Sequence, residues 1–580
     1  MAESHEQGKT ASDHGQTTPA DPPLPSDNPP RPAPTADAPR PTDASIKETL
    51  ESIVIALAVA FIFRAFIVEA FLIPTGSMAP TLLGQHLRVA DPETGYRFAV
   101  GVDPPTTMLD SNGGLERPQH AASPMTGDNI TLAKGTRARP GDRILVLKYL
   151  YGIAEPRRWD VVVFKAPHDP QTNFIKRLVG LPNEAVALID GNVYTCPLDP
   201  DGHGPDPQHL GEGWRIARKA DRPAIQRSVF APIYDSWYVP DPAIQEASDN
   251  GDTHPWSSPW TPDGPTADRW SVNATRHYRY SGEAPGELRF DFDAHGYADL
   301  DARYPYNQFK RASNREPIED IRLAVDLRPD QFGLSVGLTT TARLWIDGQL
   351  QHARLTARID EGGRAQLLAA PVSTPDATPT PLTLAVETRP LRPNRITQLE
   401  LWHVDHETIL WIDGRRLLSH RDEVSPRRLI DGPAPAPLPE IAVRLEGGPA
   451  TLDRVVLERD LYYAGFPRDI PARGGLNRVG PADQRDYHGE PLVIGPDRFW
   501  CIGDNSPQSD DGRFWNHIDP TVKRRFFAPD EFNGGRSAVG LVPRDLLVGR
   551  AFFVYFPAPL ALSPQHPGLV PNLADMRFIR

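Results

Sequence analysis

The sequence predicts a mainly β protein carried behind one N-terminal apolar helix. Three observations lead there. Proline accounts for 64 of 580 residues, about 11% against a usual value of about 5%, and proline removes a helix donor and clashes with the preceding turn. The residues beyond 80 fall into short β-branched runs bounded by Gly, Pro and Asp, such as Arg143–Val146, Val161–Phe164 and Ala185–Ile189, which is the pattern of strands. One stretch alone, Ile53 to Phe63, is an uninterrupted apolar run. The length allows about three to five domains. With 75 acidic against 62 basic side chains and a net charge of −13, the chain lacks the basic surface a general nucleic-acid binder needs. Its two cysteines, Cys196 and Cys501, exclude a disulfide scaffold and a cysteine-rich metal site.

Residues 1–45 contain ten prolines and almost no large apolar side chain, so they read as a disordered tail that cannot offset its ordering entropy by burial. Residues 46–70 read as a transmembrane helix. From Ile46 to Phe66 are 21 residues, or roughly 32 Å of helix, enough to cross a bilayer. A buried core helix is the competing reading. A cleavable signal peptide fits less well behind so long a polar leader. Arg31, Arg40 and Lys47 precede the stretch and only Arg88 closely follows it. The positive-inside rule therefore predicts a cytoplasmic tail, a single pass through the inner membrane and an exported remainder.

After this helix, residues 71–196 make a first β region with an insertion at 85–140, and 197–266 an irregular linker rich in Pro, Trp and Asp. Residues 267–463 alternate as strands, and 464–580 return to the style of the first region. Inside 267–463 the tetrapeptide Trp-Ile-Asp-Gly occurs at Trp345–Gly348 and at Trp411–Gly414. Asp-Gly favours a tight hairpin turn, and two such hairpins among many short strands suggest a jelly-roll-like β-sandwich.

Three pieces carry chemistry. Pro74-Thr75-Gly76-Ser77-Met78-Ala79-Pro80-Thr81-Leu82 stands where a chain leaving a membrane would meet its surface. In Asn173-Phe174-Ile175-Lys176-Arg177-Leu178-Val179-Gly180, strand alternation puts Phe174, Lys176 and Leu178 on one face. Burial there would lower the lysine pKa and make it usable as a base, a role closed to Arg177. The third piece is the polar loop Gly503-Asp504-Asn505-Ser506-Pro507-Gln508-Ser509-Asp510-Asp511-Gly512-Arg513. Each alone is bland: a turn serine, a surface lysine, a loop.

Together and in this order, the three pieces resemble the type I bacterial signal (leader) peptidases, membrane-bound serine proteases with a Ser–Lys dyad. Gly141–Val146 and Val161–Pro167 resemble that family too, so the likeness covers about 46–195 and 485–557. The resemblance implies an antiparallel β catalytic core, with Ser77 as nucleophile and Lys176 as general base. It implies an oxyanion hole from the Ser77 N–H and the Thr75 hydroxyl, where relatives often have Ser. Ser509 would orient the lysine, Asp511 and Arg513 would form a bracing ion pair, and Asp504 is a further supporting residue. Ser506 and Pro507 depart from the common Arg-Asp, and Gly512 from a common Ser. The implied substrates are exported preproteins with small residues at −1 and −3, and no cofactor is called for.

The inserted block faintly resembles concanavalin- or laminin-G-like sandwiches. A carbohydrate or protein ligand is the expectation there, with Trp256, Trp260 and Trp270 as stacking candidates. Asp91-Pro92-Glu93-Thr94-Gly95-Tyr96 resembles a Cys-Pro-x-Cys-Gly-Tyr knuckle without its cysteines. Two other readings compete: a non-catalytic envelope scaffold acting through the sandwich, and a cytoplasmic self-cleaving regulator. The intact Ser77, Lys176 and Ser509 oppose the first, and the apolar segment before Ser77 opposes the second.

Overall fold

The computed structural model describes residues 43–102, 119–133, 135–199, 206, 209–240, 256–272, 276–293, 304–308, 317–374, 377–464, 491–528, 539–559 and 570–580. The tail expected to be disordered therefore lies almost wholly outside the described residues, as does part of the linker. The chain divides into two units, Met1–Phe61 and Ile62–Arg580.

The apolar run forms a 20-residue α-helix, Asp43–Ile62. Ile53, Val54, Ile55 and Val59 are all exposed, and at about 100° per residue they point round the whole helix instead of along one stripe, unlike a helix laid on a soluble core. The regular helix stops at Ile62, before the Phe66 boundary read from the sequence, and the chain continues as one π turn over Phe63–Ile67. Among the described residues no helix is long and apolar enough to cross a membrane.

The second unit is built of antiparallel sheets. Its first sheet runs in the order Val68–Leu72, Arg143–Leu147, Leu547–Phe556, Val161–Ala166, Asp169–Gly180, Arg498–Ile502, Leu541–Pro543. Strands from residues 68–180 and 498–556 thus interleave, and everything between them is an excursion from one sheet. A four-stranded sheet, Arg215–Ile216, Asn192–Pro197, Glu184–Ile189, Leu492–Ile494, continues beside it.

The excursion folds as two further antiparallel sheets. They enclose a single apolar cluster that includes Leu288, Leu323, Leu338, Leu401, Val443 and Leu457. Both Asp-Gly pairs form the expected turns: Asp347 and Gly348 have φ 51° and 78°, Asp413 and Gly414 48° and 73°, positive at both central positions as a type I′ hairpin requires. The sheets recruit strands Ala231–Asp235 and Trp260–Asp263, so the sandwich draws in parts of the region read as linker. Trp260 and Trp270 are buried and Trp256 packs on the same core. The first two are packing residues and cannot serve as stacking platforms.

Two hairpins follow, His86–Ala90 with Arg97–Gly101 and Gln119–Ala122 with Asn129–Leu132. The turn at Asp91-Pro92-Glu93-Thr94-Gly95 has a counterpart in Ser123-Pro124-Met125-Thr126-Gly127. Gly95 N–H donates to the Asp91 carbonyl and Gly127 N–H to the Ser123 carbonyl, each at 2.9 Å. The Ser123 hydroxyl donates to the Asp91 carboxylate at 2.6 Å. A side-chain hydrogen bond therefore clips together two matching turns.

Candidate active site

Ser77 lies in a tight turn that follows strand Val68–Leu72. Ala79 N–H donates to the Gly76 carbonyl at 3.0 Å and Leu82 N–H to the Met78 carbonyl at 2.9 Å. Met78 and Leu82 are fully buried in one apolar cluster and Ala79 in another, so the turn is wedged between two cores. Its backbone is packed so closely that neighbouring positions must be glycine. A Cβ on Gly84 would sit 2.2 Å from the Thr75 carbonyl carbon, and one on Gly503 2.4 Å from the Ser77 carbonyl oxygen.

Lys176 comes from strand Asp169–Gly180, paired with Val161–Ala166 on one side and Arg498–Ile502 on the other. Phe174 and Leu178 share an apolar cluster, and Lys176 Nζ stands 5.2 Å from the Phe174 ring centre. The face predicted by alternation is the face observed. Lys176 is 4% exposed, and its Nζ donates to Ser77 Oγ at 2.7 Å. Burial pushes its pKa down to about 8, against the opposing pull of Asp511 and Asp510. Among the described residues no carboxylate forms an ion pair with it.

Arg177 points to the opposite face and is fully buried. It grips Asp504 through Nε at 2.8 Å and Nη2 at 2.7 Å. Asp504 also accepts from the Thr81 hydroxyl at 2.5 Å, so the lysine strand, the Gly-Asp-Asn loop and the end of the Ser77 turn meet on one carboxylate. A fully buried ion pair survives because each charge is hydrogen-bonded as well as paired. Sequence reasoning excludes Arg177 as a base and gives it no other role. The signal is the adjacent Lys-Arg pair itself, which alternation must send to opposite faces.

In the third piece, Asp511 accepts from Arg513 at 2.9 and 2.8 Å and from Gly503 N–H at 2.9 Å. Burial alone would raise the Asp511 pKa, but Arg513 holds it below the ordinary carboxylate value. Arg513 also donates to the Ser506 hydroxyl at 2.6 Å and its carbonyl at 2.8 Å, so the Ser at this departure from the family pattern is used. Ser509 is buried beside Gly503, but among the described residues its Oγ makes no hydrogen bond, so the expected contact with Lys176 is not formed. Thr75 is exposed two residues before Ser77. Among the described residues neither its hydroxyl nor the Ser77 N–H is engaged internally. Cys196 and Cys501 are both free and buried. The one group of carboxylates close enough to share a metal ion among the described residues, Asp320, Asp405 and Asp460, belongs to the inserted region and already holds the ammonium of Lys219.

The Ser77–Lys176 contact lies within a stretch that is similar to known proteins. The profile of the family described as "Signal peptidase, peptidase S26" matches residues 46–133 and 135–196, a stretch that includes most of the 85–140 segment. The chain is 33% identical over 148 residues to Signal peptidase I of Rickettsia massiliae, covering 26% of this chain and 42% of that protein. It is 31% identical over 144 residues to Signal peptidase I of Rickettsia bellii, covering 25% and 37%. Over about a quarter of its length, within residues 46–196, the chain is thus similar to the type I signal peptidases, the family its motifs suggested. It spans about two fifths of the length of these relatives. Among solved structures it is similar to the carbohydrate-binding module CBM66 from Bacillus subtilis, at 11% identity and TM-score 0.21, covering 35% of this chain and 96% of that one.

Proposed function

We propose that the chain is a membrane-anchored serine endopeptidase that removes signal peptides from exported preproteins after small residues. The observation that carries this reading is the 2.7 Å contact between Lys176 Nζ and Ser77 Oγ. A serine hydroxyl needs an adjacent base to become a nucleophile, and the Ser–Lys pair is an established variant of that arrangement.

With the amine neutral, the contact runs the other way: Ser77 Oγ–H donates to the Nζ lone pair. Oγ then attacks the scissile carbonyl carbon while Lys176 takes the proton. The carbonyl oxygen, now an anion, is received by the Ser77 N–H and the Thr75 hydroxyl. Collapse of the intermediate breaks the C–N bond, and Lys176 delivers its proton to the leaving amine. Water, deprotonated by the same lysine, then releases the acyl group and restores Ser77. The all-round apolar helix Asp43–Ile62 is the proposed anchor, with the tail cytoplasmic and the second unit exported.

The test is cleavage of a preprotein bearing an Ala-x-Ala site by detergent-solubilised full-length protein, with Ser77→Ala and Lys176→Ala alongside. Each substitution should lower the rate by at least about 10³-fold. Cleavage that survives both would remove the dyad assignment. A folded wild type that leaves a validated substrate intact would shift the reading to a binding scaffold acting through the sandwich.

A further inference from the structure

We infer that Asn307, which belongs to the inserted region, is a positioning residue for the oxyanion-binding peptide of the Ser77 loop. The inference rests on the reading of Ser77 as nucleophile. It begins with Asn505, whose N–H donates to the Ser77 carbonyl at 3.0 Å and whose Nδ2 donates to the Gly76 carbonyl at 2.9 Å. The Gly76 carbonyl and the Ser77 N–H belong to one planar peptide unit. Whatever fixes that carbonyl therefore aims the N–H on its far side, the donor meant for the oxyanion.

Asn505 is itself held by Asn307. The two side chains form a reciprocal amide pair, Asn307 Nδ2 to Asn505 Oδ1 at 2.7 Å and Asn505 Nδ2 to Asn307 Oδ1 at 2.9 Å. Both residues are buried. Asn505 thereby uses both amide hydrogens and its oxygen, and no freedom to rotate remains. Without Asn307, the Asn505 side chain keeps one bond to the loop and has two buried polar positions unmet.

The segment that carries Asn307 fits the peptidase region at each flanking position. Tyr304 packs in the cluster that contains Ala79. The Tyr306 hydroxyl donates to the Gln85 carbonyl at 3.1 Å, and its ring lies where a Cβ on Gly101 would be 2.2 Å away. The Gln308 amide accepts from Ala122 N–H at 2.6 Å and donates to the Ala122 carbonyl at 2.8 Å. Residues 304–308 are seated on the peptidase region through their side chains, and Asn307 is the one that bonds Asn505, the partner of the Gly76 carbonyl.

The experiment measures kcat, KM and the pH profile of full-length Asn307→Ala, Asn307→Asp, Asn505→Ala and the Asn307→Ala/Asn505→Ala double variant. Hydrogen exchange across residues 75–82 is followed in the same proteins. Losing one oxyanion donor costs about 10²–10³ in kcat, so misaiming one should cost about 10- to 100-fold. KM should stay within about twofold of wild type and the pH midpoint should not move, because Lys176 is untouched. The double variant should be no slower than Asn505→Ala alone, since one residue acts through the other. Asn307→Asp, which can accept from Asn505 but not donate, keeps the shape if the alanine variant fails to fold. It should show the same kcat loss and faster exchange at 75–82. Unchanged kcat, a loss confined to KM, or multiplying losses in the double variant would overturn the inference. If wild type cleaves nothing, the functional reading fails by itself. Exchange at 75–82 then decides, faster in the variants supporting the positioning role and unchanged refuting it.

Discussion

Lys176 and Lys219 are both buried, and their surroundings push them in opposite directions. Lys176 meets a hydroxyl and an aromatic ring, and burial draws its pKa down to about 8. Lys219 meets two carboxylates, Asp405 at 2.6 Å and Asp460 at 3.0 Å. Burial again favours the neutral form, but Asp405 and Asp460 outweigh it and raise the pKa. Desolvation is common to both sites and the partner decides the outcome. A buried amine without a carboxylate partner is available as a base at moderate pH. One clamped by carboxylates is a permanent cation, and it holds the inserted region together.

The comparison is broken most severely at Lys219. Lys219→Met would leave Asp405, Asp460 and Asp320 facing one another without a cation, and stripping one partner from a buried ion cluster costs about 3–5 kcal/mol. Urea unfolding at pH 7 should show that loss. It should shrink as the pH falls, because the pKa values of Asp320 and Asp460 are already raised by burial and protonation removes the repulsion. A loss below about 1 kcal/mol would mean that the cluster does not need its cation.

The same substitution at Lys176 should act in the opposite sense. Its folded pKa lies below the unfolded 10.5, so between about 8 and 10.5 the unfolded chain binds more protons and stability rises with pH. The contribution is complete above 10.5 and lost as pH falls through about 8. A fall from 10.5 to about 8 corresponds to roughly 3 kcal/mol. Lys176→Met removes that burden, so it should match or exceed wild type in stability at pH 7 while losing this part of the slope. A variant clearly less stable than wild type at pH 7 would show that the lysine is structurally paired after all.

Much of this is legible in the amino-acid order, because the relevant signals are local. Alternation in Asn173–Gly180 fixes which face Lys176 shares, and the Asp-Gly pairs fix two hairpins. What sequence reasoning misses depends on contacts between distant segments. Asn307 meets Asn505 across 198 positions and Arg177 meets Asp504 across 327, and no periodicity in either segment announces the other. The tryptophans mislead for a related reason. Trp260 and Trp270 sit in a Pro- and Asp-rich stretch that reads as exposed, yet their strands pair into the sandwich sheets and turn the rings inward. The apolar run is recognisably helical, but its regular turns end at Ile62 where the π turn begins, a local change of winding with no sequence mark.

The finest test of the comparison is the pH dependence of catalysis. If neutral Lys176 is the base, kcat/KM should climb with pH and level off above its pKa, which lies at about 8. The neutral fraction grows about 50-fold from pH 6 to pH 8 and less than about twofold from 8 to 9. A flat profile over that range, measured where chemistry limits the rate, would exclude the lysine as base. A smaller change then sharpens the assignment. Asp510 is exposed, and its charge raises the Lys176 pKa. Asp510→Asn should therefore move the midpoint down by a fraction of a unit and leave the plateau unchanged, the effect fading in high salt because the field crosses solvent. At Lys219 no equivalent shift is available, because its carboxylates are in direct contact. An exposed charge can tune a buried amine only where no partner has already settled its protonation.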